Sequence, residues 1–297
     1  MRIGIDLGGT KIEGIILDQE AQVTEKIRLQ TPTDSYQNLI ESLCSIVNNL
    51  QSMTTDYLPV GIGTPGAMSL PAEVMKNCNS ICLNGRQLKV DIENLLGYKV
   101  RIENDANCFT LSEALYGSGK KAKTVFGVIL GTGTGGGVVI DKNLLTGPNA
   151  IAGEWGHNSL PSSAMQVHQS ERQCYCGRRN CIETFLSGRG LTQTHFELHG
   201  TSLRAIEIAN STNAACAVSL NIYSQQLAHC LATIVNVLDP HMIVLGGGLS
   251  NIQELYEVMP EYLEPIVFTD RLLTQISPPL FGDASGARGA ACLWPLE

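Results

Sequence analysis

Charge is scarce in this chain: 16% of its 297 residues are Asp, Glu, Lys or Arg, and the formal balance is −8. No broad positive field is available for a phosphate backbone or an anionic membrane, so nucleic acid and lipid are excluded as partners. Long apolar runs are missing too, since no segment reaches the ~18 residues of a membrane span. Met1-Arg2-Ile3-Gly4-Ile5-Asp6 turns charged before a signal-peptide core could form. The expectation is a cytoplasmic protein. In that compartment the ten cysteines read as reduced thiols or metal ligands, and those scattered singly fill core volume.

What is present is glycine, at 30 positions, and strands that alternate with helical patterns. Arg2–Leu7 and Ile12–Leu17 read as strands joined by Gly8-Gly9-Thr10-Lys11, where paired glycines allow the positive φ angles of a tight hairpin. A further strand fits Gln22–Gln30. Asp34–Leu50 then sets Leu39, Leu43, Ile46, Val47 and Leu50 at helical spacing. Val60–Gly63 and Val100–Glu103 are short strands, and Asn104-Asp105 stands between the second of them and a helix over Ala106–Tyr116. Thr124–Leu130, the run Gly131-Thr132-Gly133-Thr134-Gly135-Gly136-Gly137 and Val138–Ile140 repeat the design of strand, glycine turn and strand. Ala214–Leu238 is the longest helical pattern, stopped by Asp239-Pro240 before a strand His241–Leu245 and Gly246-Gly247-Gly248. Gly282–Leu293, rich in Ala and Gly, fits a closely packed helix returning to the first half. These alternations predict an α/β architecture.

Three glycine turns suggest phosphate binding more strongly than one. Asp6-x-Gly8-Gly9-Thr10-Lys11 joins bare backbone, a hydroxyl, a cation and a carboxylate, the parts needed to wrap phosphate oxygens and hold a magnesium ion (Mg²⁺). It matches neither the P-loop nor the dinucleotide fingerprint, because another strand follows it instead of a helix. With these turns the chain resembles, from Arg2 to Pro295, the ROK family of sugar kinases and repressors, within the actin and hexokinase superfamily. The resemblance implies a two-domain, ribonuclease H-like fold with ATP in an interdomain cleft. The small domain would be residues 1–106 plus about 283–297, and the large domain residues 107–282.

By resemblance, Gly4, Asp6, Gly8, Gly9, Thr10 and Lys11 belong to the first ATP site, with Asp6 reaching Mg²⁺ through water. Gly131, Thr132, Gly133, Thr134, Gly135 and Gly136 form the second phosphate loop, and Gly246, Gly247 and Gly248 sit beside adenosine. Phosphoryl transfer needs a base aligned with the attacking hydroxyl. Asp105 has the place of the family's catalytic Asp, with Asn104 hydrogen-bonding the sugar, although an Asp before a helix is also a common N-cap.

Cys174-x-Cys176-Gly177-x-x-x-Cys181 concentrates three thiols, a soft donor set that favours zinc (Zn²⁺). The family knuckle adds His157 as the fourth ligand of a structural site, leaving its other ring nitrogen for a sugar hydroxyl. Asn180 stands where the family usually has glycine, and Asn tolerates left-handed backbone. Resemblance also carries Glu154, Glu183, Gly66 and Asn79 into the sugar pocket. Trp155 and the surroundings of Asn79 look most like fructokinases of the manno(fructo)kinase type, which favours an unacetylated hexose, with N-acetylglucosamine kinase as the alternative. A repressor would need a helix-turn-helix segment, which the strand at Arg2 leaves no room for; a silent sugar sensor is the remaining alternative. A homodimer is the family's expectation.

Overall fold

The structure, a computed structural model, describes residues 1–32, 35–78 and 80–295. Along the chain run β1 (Arg2–Leu7), β2 (Lys11–Leu17), β3 (Val23–Gln30), α1 (Tyr36–Gln51), β4 (Val60–Thr64), β5 (Ala67–Ser69), β6 (Val74–Lys76), α2 (Leu88–Leu96), β7 (Val100–Asn104) and α3 (Asp105–Leu115). There follow β8 (Thr124–Leu130), β9 (Thr134–Ile140), β10 (Asn143–Leu144), α4 (Ser162–Val167), α5 (Glu183–Leu186), α6 (Gly188–His199), α7 (Ala205–Ala209) and α8 (Ala214–Leu238). The chain closes with β11 (Met242–Gly246), α9 (Glu254–Leu263), β12 (Gln275–Ser277) and α10 (Ser285–Ala291).

Two compact units result. The first comprises Met1–Lys120, Lys142–Ala152 and Asp283–Glu297; the second comprises Lys121–Asp141 and Gly153–Gly282. The first unit therefore keeps the whole of α3, whereas the sequence reading divides the chain at 106/107. The reason is packing: Ser285 donates to the buried Glu113 at 2.8 Å, and a Cβ on Gly289 would lie 1.6 Å from the Cys108 carbonyl oxygen. Helix α10 thus lies backbone to backbone on α3.

In the first unit the sheet order is β3-β2-β1-β4-β7. β1, β4 and β7 are parallel, while β2 and β3 are antiparallel additions. One face is covered by α1, whose Ser35 cap accepts from the Asn38 N–H at 3.1 Å. Its Leu39, Leu43, Ile46, Val47 and Leu50 are all buried, each removal from water contributing on the order of 2 kcal/mol. α10 packs on β1 and β4 so closely that a Cβ at Gly4 would meet Ala287 O at 2.0 Å and one at Gly61 would meet Ala290 O at 1.8 Å. Small residues on both sides permit this approach, which accounts for the Ala and Gly content of the C-terminal segment.

The second unit carries the order β9-β8-β11-β12, again an antiparallel hairpin followed by parallel strands. Its core is organised by α8, whose Leu220, Tyr223, Leu227, Leu231 and Val235 are buried. Tyr223 donates its hydroxyl hydrogen to Leu186 O at 2.8 Å, so the one polar atom on that ring is satisfied. The helix ends at Asp239 in left-handed conformation, immediately before Pro240.

Candidate active site

Parallel strands put their carboxyl ends on one edge of a sheet, where α/β proteins commonly bind ligands. In the first unit that edge gathers the Gly8–Lys11 turn after β1, Gly66 after β4, and Asn104-Asp105 at the end of β7. Asp6, near the end of β1, has its carboxylate beside Gly286, where a Cβ would lie 2.7 Å from Oδ2. The first turn is closed by Gly8 N–H donating to Lys11 O at 3.0 Å. Buried Thr31 braces it, since its hydroxyl donates to Gly8 O at 2.7 Å and its N–H to Thr10 O at 3.0 Å. Contrary to the hairpin argument, Gly8 and Gly9 do not take positive φ. At Gly8 the missing Cβ permits close approach, since it would lie 2.9 Å from Lys11 O, whereas Gly9 faces open space with nothing within 4 Å.

Asp105 is the first residue of α3 and is exposed. The capping alternative resolves in favour of its neighbour: Asn104 Oδ1 accepts from Ala106 N–H at 2.9 Å and Asn107 N–H at 3.3 Å. Asp105 Oδ1 also accepts from Ala106 N–H, at 2.8 Å, which aims the carboxylate without burying it. Asn104 donates one amide hydrogen to Gly66 O at 2.9 Å, tying the ends of β4 and β7 together and leaving the other amide hydrogen for a ligand. Gly66 has φ of 78° and lies against Cys78 Sγ and Lys76 O, so no other residue fits there. Asn79 lies outside the described residues.

Several glycines read as nucleotide contacts also serve packing. Gly4 lies within β1 against α10. The second turn is only Gly131-Thr132-Gly133, because Thr134, Gly135 and Gly136 are already in β9, paired with Leu130, Ile129 and Val128. Gly136 faces the Trp155 ring and Gly153 O. Gly246 ends β11, whereas Gly247 has φ of 81° and would place a Cβ 2.6 Å from Leu130 O. These approaches bring Gly131 and Gly248 to one cavity of about 730 Å³, also lined by Thr132, Gly188, Arg189 and Arg204. The volume suits a ligand of nucleoside size. Arg189 and Arg204 carried no sequence signal for this role, since they come from α6 and the segment before α7, far along the chain from either glycine turn.

The knuckle is built around close main-chain contact. Gly153 and Gly156 sit so tightly on β9 that Cβ atoms would meet Gly136 O at 2.3 Å and Thr134 O at 1.9 Å. Trp155 donates Nε1–H to Gly135 O at 2.8 Å and packs edge-on against Phe126. At 3% exposure it is a core residue, so its identity does not shape the sugar pocket as the sequence reading supposed. Asn180 takes φ of 54° and does more than glycine could, its Oδ1 accepting from Arg172 N–H at 2.7 Å. Arg172 in turn donates to Thr184 O, Gly190 O, Thr194 and Glu197, fastening the knuckle to α5 and α6.

His157, Cys174, Cys176 and Cys181 bring their ligand atoms within 4.8 Å of one another. Cys176 Sγ and Cys181 Sγ are 3.6 Å apart, and Cys174 Sγ is 3.7 Å from His157 Nδ1. Tetrahedral zinc with Zn–S of about 2.3 Å needs donor separations of about 3.8 Å, so the set fits. Burial pushes the Cys176 thiol up, but hydrogen bonds from Arg178, Cys174 and Cys181 together outweigh it and hold that thiol down to about 6, a ready anionic ligand. Bound zinc would cross-link the knuckle to the Trp155–His157 turn.

Glu183 accepts from Thr134 N–H at 2.9 Å, placing it beside the second glycine turn. Glu154 precedes the Trp155–His157 turn and is half-buried. Here the structure adds Tyr175, unnoticed in the sequence: its hydroxyl lies 2.9 Å from His157 Nε2. The ring nitrogen expected to face a sugar hydroxyl is therefore occupied by a phenol. Burial, Glu183, Cys174 and Glu154 push that phenol's pKa upward, so it stays protonated and both carboxylates act close to it. Its position between two cysteine ligands was the signal available.

The family model described as the ROK family matches residues 2–297. The chain belongs to the ROK family. It is 36% identical over 299 residues to the N-acetyl-D-glucosamine kinase of Yersinia enterocolitica, covering 99% of each chain. Among solved structures, a ROK hexokinase from Thermus thermophilus aligns with TM-score 0.85 at 25% identity, over 98% of this chain and 96% of that one. A ROK family glucokinase from Streptomyces griseus, solved with glucose and AMPPNP, aligns with TM-score 0.80 at 25% identity over 98% of both. The hexokinase-type, actin-like α/β fold is thereby shown. These relatives point to the alternative of the sequence reading rather than to fructokinase, since those matched over nearly the whole chain include N-acetyl-D-glucosamine kinases; of the two positions that favoured an unacetylated hexose, Trp155 is core and Asn79 lies outside the described residues.

Proposed function

We propose that this ROK protein is an ATP-dependent hexose kinase whose sugar is N-acetyl-D-glucosamine. The observation that carries the chemistry is the sheet edge in the first unit, where the cap on Asn104 leaves Asp105 exposed beside Gly66 and on the same edge as the Gly8–Lys11 turn. Asp105 accepts the proton of the sugar hydroxyl as that oxygen bonds to the γ-phosphorus; the bond from phosphorus to the bridging oxygen breaks, and ADP leaves. Backbone N–H groups of the glycine turns and Lys11 offset phosphate charge, with Asp6 placed to hold water around magnesium, which when bound neutralises the polyphosphate. The 730 Å³ cavity takes the nucleoside. Glu154 and Glu183 hold sugar hydroxyls, while structural zinc at His157, Cys174, Cys176 and Cys181, with the Tyr175 phenol on the second His157 nitrogen, keeps that part of the pocket in place.

Support for the acetylated sugar comes from relatives 36–39% identical over nearly the whole chain. An ADP-release assay across N-acetylglucosamine, N-acetylmannosamine, glucose, mannose and fructose tests it. The highest kcat/KM is expected with N-acetylglucosamine; a preference for fructose would restore the other reading, and no turnover of any sugar would leave a sensor.

A further inference from the structure

The far edge of the first sheet, where β1, β4 and β7 begin, holds a second cavity of about 830 Å³. Its lining includes Arg2, Lys99 and Arg101, three aromatic residues (Tyr57, Tyr98 and Trp294), and no carboxylate among the described residues. In a chain of net charge −8 this is an unusual concentration of cations.

Arg2 is only 3% exposed. It donates to Trp294 O at 2.8 Å and to the Tyr116 hydroxyl at 3.5 Å, yet it has no carboxylate partner among the described residues, and its Nε is buried without a hydrogen-bond partner. Its described partners are thus neutral acceptors, which leave the guanidinium's charge available to an anion. Nearby Cys292 does not supply the charge, because burial pushes its thiol up to about 11. Tyr98 Oη is likewise buried, with the Tyr57 hydroxyl beside it as its one polar neighbour among the described residues, and its ring lies edge-on to Tyr57 at 4.6 Å. Arg101 lies over the Trp294 ring at 4.2 Å and donates to Leu293 O, while Lys99 is mostly exposed and paired with Glu93 at 2.9 Å.

We propose that this cavity is a binding site for a hexose phosphomonoester. The cations supply the charge-assisted donors that a phosphoryl dianion requires. The aromatic faces supply the flat apolar surface on which the C–H face of a pyranose rests, and Tyr98 Oη meets a ring hydroxyl. The choice of sugar as the ester's body rests on the kinase reading, since that reaction produces such an ester. At their other ends β1, β4 and β7 lead to Gly8, Gly66 and Asp105, so the cavity lies on the sheet edge opposite the catalytic one.

Titration calorimetry on the full-length protein tests the site, with N-acetylglucosamine 6-phosphate, N-acetylglucosamine, AMP and inorganic phosphate as probes. Apart from product binding at the Asp105 edge, the phosphorylated sugar is expected to show a second site that weakens at least 10-fold in both Lys99→Glu and Arg101→Glu, with AMP and unphosphorylated sugar binding unchanged. Lys99 is exposed, so its reversal leaves the core untouched, and unchanged melting temperatures verify folding. Insensitivity of phosphorylated-sugar binding to both variants overturns the proposal. So does AMP or inorganic phosphate competing for the variant-sensitive site with equal affinity. The kinase reading stands or falls separately, on ADP release.

Discussion

The two sheets share one plan, an antiparallel glycine hairpin joined to parallel strands, but they position functional groups by different means. In the first, Asp105 is aimed by short-range geometry: a strand end, the Asn104 side-chain cap and one N–H to its own carboxylate. In the second, Glu154, His157 and Glu183 depend on long-range fasteners, namely the Gly153 and Gly156 contacts with β9, the Arg172 network and the cluster of thiols. Chemistry in the first unit should therefore be separable from stability, and in the second it should not.

The largest expected effect tests that separation directly. Asp105→Asn should lower kcat by roughly 10²–10⁴-fold or more while leaving the melting temperature unchanged; near-normal turnover, or a collapsed fold, would break the contrast. In the second unit, Cys176→Ser should lose bound zinc and cost about 10–100-fold in sugar kcat/KM, together with a lower melting temperature. Metal analysis, kinetics and calorimetry on one preparation check all three, and retained activity in metal-free protein would remove zinc from the argument.

Acid should reach the second unit's fasteners next. Burial pushes the Glu197 carboxyl up, but hydrogen bonds from Arg172, His168 and Gln193 outweigh it and hold the group down to about 2. A folded-state pKa below the unfolded one means that stabilisation is full above about pH 4.5 and lost as pH falls toward 2, amounting to about 2–3 kcal/mol. Denaturant melts from pH 6 to 3 should show this slope in the native chain and a flattened one in Glu197→Gln. The smallest effect belongs to Asn180→Gly, which loses the bond to Arg172 N–H but relieves a left-handed residue; a net loss of about 0.5 kcal/mol is expected, with kinetics unaltered.

Long periodic elements were legible in the sequence, and short ones were not. Ala214–Leu238 is helical over the range its pattern predicts, and the hairpins flanking Gly8–Lys11 and Gly131–Gly133 are where alternation places them. α4, α5 and α7 span only four to six residues each, too few for a period of 3.6 to show. At the site, the motif glycines were visible but their duties were not: Gly4, Gly136 and Gly156 matter for what passes over them, a property of tertiary contact. Thr31, Tyr175 and Arg189 went unread for the same reason, since each acts on residues 20 or more positions away or, for Tyr175, through a ring nitrogen that the family resemblance assigned to substrate.

Helix α10 carries one more implication, for the order in which the protein matures. The ribosome delivers Ser285–Ala291 after both sheets have been synthesised, yet the floor under Gly4 and Gly61 is closed only by that segment. Until it arrives, the nascent first unit presents a bare furrow along β1 and β4, and its completion waits on a segment made after every strand it covers.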